Sequence, residues 1–335
     1  SLIHYTNPLT AYEGCTMKRL FFAVLLFGTM CLFLIFPDAS LQGAKTGLLL
    51  WFEQVLPSLL PFFILTKLLV LLGFHHALGK LFYPLFHPLF SLSASGCFAL
   101  VTGLLSGLPL GAKTVSELYA QNEISKKEAV LLLALCSNPS PMFLISYAAI
   151  SQLKLKDSPY LILLFVLASA LLCHIFCRLL PIGNSSVPLK KATHPADTKS
   201  TEFSFALLDT CILSGFEAMS KIGGYIILFN IYAAVLPLLL PFPEHSLACL
   251  LPLCMLEMTT GIASACRLLS NADLSFLLVI GCCCFGGLSG LAQTKSVLTD
   301  DILSFGKLLL LKLGHCAIGI GLALLINIAK EIIPI

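Results

Sequence analysis

The sequence predicts an all-α polytopic membrane protein made of inverted structural repeats, each a re-entrant helical hairpin followed by an interrupted transmembrane helix. Three observations lead there. The 335 residues are 58% hydrophobic and only 11% charged, with a mean hydropathy of +0.95, whereas a soluble chain carries about 25% charge. Glycine and proline break the apolar runs in mid-course, as in the string from Ser106 to Lys113 (SGLPLGAK). Features of the first half then recur in the second at matched intervals, the signature of duplication.

Composition also excludes classes. The net charge of +3 is small and scattered, with no basic stripe interleaved with aromatics, so nucleic acid is not a partner. Most of the fourteen cysteines lie within apolar runs, where a free thiol behaves as a small hydrophobe, and Cys282, Cys283 and Cys284 are too closely spaced to close around one zinc. No nucleophile elbow, zinc-protease string or P-loop is present, so no enzyme is expected, and no cofactor beyond a coupling cation.

Residues 1–16 are polar and patternless, and read as a non-native or disordered extension before Met17, Lys18 and Arg19 open the first transmembrane helix, 17–40. Residues 41–182 form repeat 1 and 203–335 repeat 2, joined by a polar cytoplasmic linker, 183–202. Within repeat 1, residues 41–54 suit an interfacial amphipathic helix, and 56–74 suit a span whose Pro57 and Pro61 fall in its first turns. The connection 75–90 reads as interfacial. Its paired His75 and His76 read as headgroup-level residues, because no carboxylate or third histidine stands near them in sequence.

Residues 95–121 centre on Gly107, Pro109 and Gly111. Each leg is about ten residues, roughly 15 Å of helix against a 30 Å hydrocarbon core, which fits a hairpin turning at mid-membrane. Ser125 and Glu128 are spaced as a capping box for the next helix, which Ser137, Asn138, Pro139, Ser140 and Pro141 interrupt. A plain helix, 159–180, ends the repeat. Repeat 2 follows the same order: an amphipathic stretch 203–219, a span 223–240, a broken segment 246–271, a helix 274–294 broken at Gly286–Gly290, and a last helix 303–328.

The interval from Gly111 to Gly261 equals that from Ser140 to Gly290, and the Phe52, Glu53 pair matches Phe216, Glu217 at a longer interval that the 75–90 connection absorbs. With two hairpins that do not cross, each half contributes three spans and the second half starts from the opposite side. Including the first helix, that makes seven spans with the N-terminus inside, which also places most of the basic residues inside.

Irregular backbone at membrane depth is tolerated only where protein or a water-filled cavity satisfies it. Four breaks in matched positions therefore predict a midplane pocket for a small polar solute. The candidate substrate-binding residues are Ser106, Gly107, Gly111, Lys113, Ser137, Asn138, Ser140, Glu257, Thr259, Thr260, Ser289 and Gln293. Glu257 leads them, since an ionisable group inside an apolar segment is costly and marks a site by default. Lys113 is placed to face it from the opposite hairpin. Glu53 and Glu217 read as interface charges.

The strings from Ser106 to Lys113, from Leu256 to Gly261 and from Phe285 to Ser289, with the Ser137–Pro139 break, resemble sporulation integral membrane proteins of the nucleoside-recognition Gate family over residues 47–328. Leu108 stands where the family's string has an aromatic, so no stacking role is carried over. The resemblance implies endospore formation in a Gram-positive bacterium, a multi-pass location in the cell or forespore membrane, and likeness to concentrative nucleoside transporters. The expected partners are the lipid bilayer, a small polar solute, sporulation proteins and, for a homo-oligomer, further copies of the chain. A non-transporting membrane scaffold for spore assembly is the alternative.

Overall fold

The computed structural model describes residues 8–179, 203–299 and 302–332, and no strand occurs among them. The linker expected at 183–202 lies outside the described residues. Helix α1 covers Pro8–Ile35, so residues 8–16 continue the first apolar helix upstream of Met17. Pro37 opens α2 (Pro37–Leu50), which runs through a π-helical turn, Trp51–Val55, into α3 (Leu56–Leu71).

This corrects the sequence reading. The amphipathic stretch and the span are one helical rod of 35 residues, and the same is true of α9, Phe205–Leu239, in the second half. The polar residues that suggested an interfacial helix lie along a long span. Two further features follow α3: α4 (Phe74–Phe90), where an interfacial connection was expected, and α5 (Ala94–Ser106), bent 90° from it.

The two 35-residue rods pack against each other through small residues. A methyl group on Gly43 would meet Ile231 Cα at 2.8 Å, one on Gly47 would meet Ile227 Cα at 2.8 Å, and one on Gly223 would meet the Trp51 indole. As one residue number rises its partner falls, so the rods are antiparallel. Without a hydrophobic driving force between helices in lipid, this close backbone approach is what holds them, helped by the Trp51 Nε1 hydrogen bond to the Met219 carbonyl oxygen at 2.9 Å.

Helix α5 turns back at Gly107 into α6 (Leu110–Ala120), and the two legs pack as a hairpin. At 1.5 Å per residue the legs reach about 20 and 16 Å, short of a 30 Å core. Helix α7 (Lys126–Cys136) ends at a break, and a π-helical segment, Phe143–Gln152, continues beyond it. Ser125 caps α7 by accepting the Glu128 N–H at 3.1 Å, and the Ser125 backbone N–H turns toward the Glu128 carboxylate in return, as the capping box predicts. Glu128 also reaches Ser93, accepting from its N–H at 2.7 Å and its hydroxyl at 2.8 Å, and so holds the start of α5.

After α8 (Leu161–Leu179) and α9, the second half repeats the order: α10 (Leu247–Leu256) and α11 (Met258–Leu268) pack as a short hairpin around Glu257. Helices α12 (Ala272–Phe285) and α13 (Gly287–Val297) are the two parts of one span broken at Gly286, and α14 (Phe305–Ile332) closes the chain. The cysteines from Cys31 to Cys316 are free, and all of these but Cys31, Cys266 and Cys316 are buried.

Five helices among the described residues are long and apolar enough to cross a membrane, against the seven spans expected. The shortfall has two causes. The described apolar part of α1, Arg19–Ile35, falls just short in length, and the broken helix of the first half has neither part long enough alone. Rows of exposed apolar side chains, among them Phe21, Leu34, Leu164 and Leu325, cover the outside. On a soluble protein such a surface would drive aggregation, whereas in a bilayer it meets lipid.

Candidate functional site

All four breaks line one cavity of about 570 Å3. The first hairpin turn contributes Leu108, the first helix break Pro139 and Ser140, the second hairpin turn Glu257, Met258 and Thr259, and the second helix break Gly286, Ser289 and Gly290. Both π-helical segments line it as well, through Glu53 and Val55 on one side and Phe143, Ser146 and Tyr147 on the other. Such π turns recur at functional sites because they aim side chains that a regular helix would place elsewhere.

Each turn reaches its place for a local reason. Gly107 has φ +72° and ψ −164°, a conformation essentially closed to other residues, and a side chain there would collide with Ser140 N. The turn so formed docks on the first break, where Leu108 N–H donates to the Asn138 carbonyl oxygen at 2.7 Å. Gly286, at φ +82°, ends α12, and the room left by Gly286 and Gly290 admits the Leu108 side chain. The second hairpin meets the π-helical segment beyond the first break through the Tyr147 hydroxyl, which donates to the Thr259 carbonyl oxygen at 2.9 Å.

Glu257 is 4% exposed and sits between α10 and α11. Its Oε2 accepts the Thr260 N–H at 2.7 Å and caps α11, a position where the helix dipole favours a carboxylate. No donor to its other oxygen, Oε1, occurs among the described residues. Gln293 Nε2 donates to Ser289 Oγ at 3.1 Å on the facing wall. The wall is thus mostly apolar with a few fixed polar groups, the make-up of a small-molecule site.

Of the twelve predicted residues, Ser140, Glu257, Thr259, Ser289 and Gln293 line the cavity. Gly107, Gly111, Ser137 and Asn138 lie behind it and build the first turn and break: a methyl group on Gly111 would stand 2.6 Å from the Cys136 carbonyl oxygen. Ser106 is buried with its hydroxyl unpartnered, as is Ser137. Thr260 is turned away, donating to Asn230 Oδ1 at 2.8 Å.

Lys113 is not opposite Glu257. Its ammonium stands 4.9 Å from the Phe63 ring centroid, on the face of α6 that packs against α3, where ring and charge attract. Glu53 departs from expectation in the other direction: it lines the cavity, whereas its counterpart Glu217 is exposed and paired with Lys221 at 2.8 Å.

A lysine stands behind the cavity wall, Lys312 from α14. It is 4% exposed and donates to the Ser137 carbonyl oxygen at 2.7 Å, to Asn138 Oδ1 at 3.2 Å and toward His315 Nδ1 at 3.3 Å. His315 in turn reaches Ser169 Oγ at 2.8 Å, which lies 3.3 Å from Cys284 Sγ. No carboxylate pairs with Lys312 among the described residues. The break frees the Ser137 carbonyl, which a regular helix would consume, and the ammonium takes it. Reading 303–328 as a plain helix missed this pair, although a lysine and a histidine three residues apart inside an apolar run carry the same signal as Glu257.

No solved structure matches the chain. The chain is 29% identical over 318 residues to the sporulation integral membrane protein YlbJ of Bacillus subtilis, covering 80% of this chain and 73% of YlbJ. Residues 52–154, from the π turn of the first rod through the first hairpin and break, match the family model described as Gate, nucleoside recognition. The chain is a multi-pass membrane protein similar to YlbJ, and the segment that matches the Gate model carries the first half of the cavity wall.

Proposed function

We propose that this chain is a transporter-like protein of a sporulating cell's membrane that binds or moves a small polar solute, nucleoside-like in size, in the cavity between two inverted repeats. One observation carries the reading: the four backbone breaks and the carboxylate of Glu257 converge on a single cavity of about 570 Å3, within the roughly 300–1,000 Å3 usual for small-molecule sites. The antiparallel packing of the two matched rods supports the inversion, and hairpin legs too short for the hydrocarbon core support re-entry. Lys312 already holds the carbonyl that a coupling cation would seek at the first break. Glu257 is then the place for a coupling cation, a proton or a solute hydroxyl.

The test is uptake of radiolabelled nucleosides into proteoliposomes, with wild type compared with Glu257→Gln. Uptake by wild type that is lost in the variant supports the reading. A strain carrying Glu257→Gln that sporulates normally, beside a strain lacking residues 183–202 that does not, overturns it in favour of a membrane scaffold.

A further inference from the structure

At the end of the first hairpin remote from the cavity, three metal-ligating side chains from distant parts of the sequence meet. His75 and His76 stand in the first turn of α4, and Glu123 in the connection between α6 and α7. Their ligand atoms all lie within 4.8 Å of one another. Glu123 Oε1 is 3.0 Å from His75 Nε2 and 3.6 Å from His76 Nε2, so both imidazoles address one oxygen.

Those separations have a chemical meaning. Nitrogen and oxygen ligands stand about 2.0–2.1 Å from a tetrahedral zinc ion, which places them roughly 3.3 Å from each other. The two observed edges straddle that spacing. The carboxylate is also oriented from behind, since Ser95 Oγ donates to Glu123 Oε2 at 2.6 Å, in the manner of the outer partners that position metal ligands. Burial alone would raise the Glu123 pKa, but hydrogen bonds from His75 and Ser95 and the nearby imidazoles outweigh it and hold it below the usual carboxylate value. His75 is 3% exposed with its Nδ1 buried and unpartnered, whereas the His76 side chain is half exposed and leaves a path for an ion and a water ligand.

We propose that His75, His76 and Glu123 form a binding site for a divalent transition-metal ion of the zinc class, with an open position toward solvent. Two imidazoles and one carboxylate suit such an ion and not magnesium or calcium, which take oxygen sets. The ion would fasten α4 to the outer end of the α5–α6 hairpin, whose far end shapes the cavity. Sequence spacing hides the site, because 48 residues separate His75 from Glu123.

The experiment is calorimetric titration of Zn2+ into the full chain, purified in detergent and stripped with chelator. Wild type is expected to bind one ion per chain. His76→Ala, at a half-exposed position whose loss leaves the packing intact, is expected to weaken binding by about tenfold or more, and Ser95→Ala by about tenfold through loss of the oriented carboxylate. His245→Ala, at an exposed histidine elsewhere, is expected to change nothing. Failure of wild type to bind Zn2+, or binding that His76→Ala leaves unchanged in monodisperse protein, overturns the proposal.

Discussion

Lys312 Nζ donates to the carbonyl oxygen of Ser137 at 2.7 Å and thereby ties the last helix to the first break. An ammonium at membrane depth is costly, and here it is retained without an acidic partner among the described residues. The compensation comes from backbone and amide oxygens that the break leaves free. Lys312→Met keeps the length of the side chain but strands the Ser137 carbonyl and Asn138 Oδ1, each at a cost of about 1–3 kcal/mol. The break then loses its fixed shape, and solute uptake is expected to fall by about tenfold or more, the equivalent of about 1.4 kcal/mol. Uptake at the wild-type rate from monodisperse Lys312→Met protein would remove any role for the tie.

Glu257 does two things, and two substitutions separate them. Its Oε2 caps α11, and its charge faces the cavity. Glu257→Gln keeps an acceptor for the Thr260 N–H and is expected to unfold within a few tenths of a kcal/mol of wild type, whereas Glu257→Ala loses the cap and about 1 kcal/mol. Both lose the charge, so both are expected to lose solute binding. Thermal unfolding in detergent, run beside a binding assay, checks this. Equal stability of the two variants would show that the cap contributes nothing.

The parts of the site legible in sequence are those with a local chemical signature. Gly107 and Gly286 stand out because a turn at membrane depth needs backbone freedom, and Glu257 because a charge stands in an apolar run. What stayed hidden depends on which helix face meets which neighbour. Lys312 lies far from Ser137 along the chain, and only the packing of α14 across α7 brings them together. Lys113 looked equivalent by charge, yet the rotation of α6 turns it onto Phe63. The first 35-residue rod was hidden for a related reason: a π turn at Trp51–Val55 keeps the helix continuous while the segment that carries Glu53 lines the cavity.

Two glycines with nearly the same positive φ differ in what surrounds them. Gly107 has no space for a side chain beside Ser140 and Asn138, whereas nothing lies within 4 Å of the position a Cβ would take on Gly73, at φ +75°. Gly73→Ala is expected to cost only the conformational term, about 1–2 kcal/mol. Gly107→Ala adds a backbone collision to a conformation reserved for glycine and is expected to prevent a monodisperse fold. Fluorescence-detected size exclusion of the two variants in detergent makes the comparison, and a well-behaved Gly107→Ala protein would show that the first turn is not built as described.

The last prediction concerns the seam between the rods. Gly47 faces α9 so closely that a methyl group would stand 2.8 Å from Ile227 Cα and 3.1 Å from Asn230 Cβ, whereas Gly28 on α1 has open space around it. A larger residue at Gly47 must push the rods apart, which breaks the Trp51 to Met219 hydrogen bond and loosens the wall that carries Glu53 and Ile226. Overpacking of this kind costs about 1–3 kcal/mol. Gly47→Val is therefore expected to lower the detergent unfolding temperature and uptake together, and Gly28→Val to alter neither. If Gly47→Val retained wild-type stability, the close approach of the two rods would not be what holds the halves together.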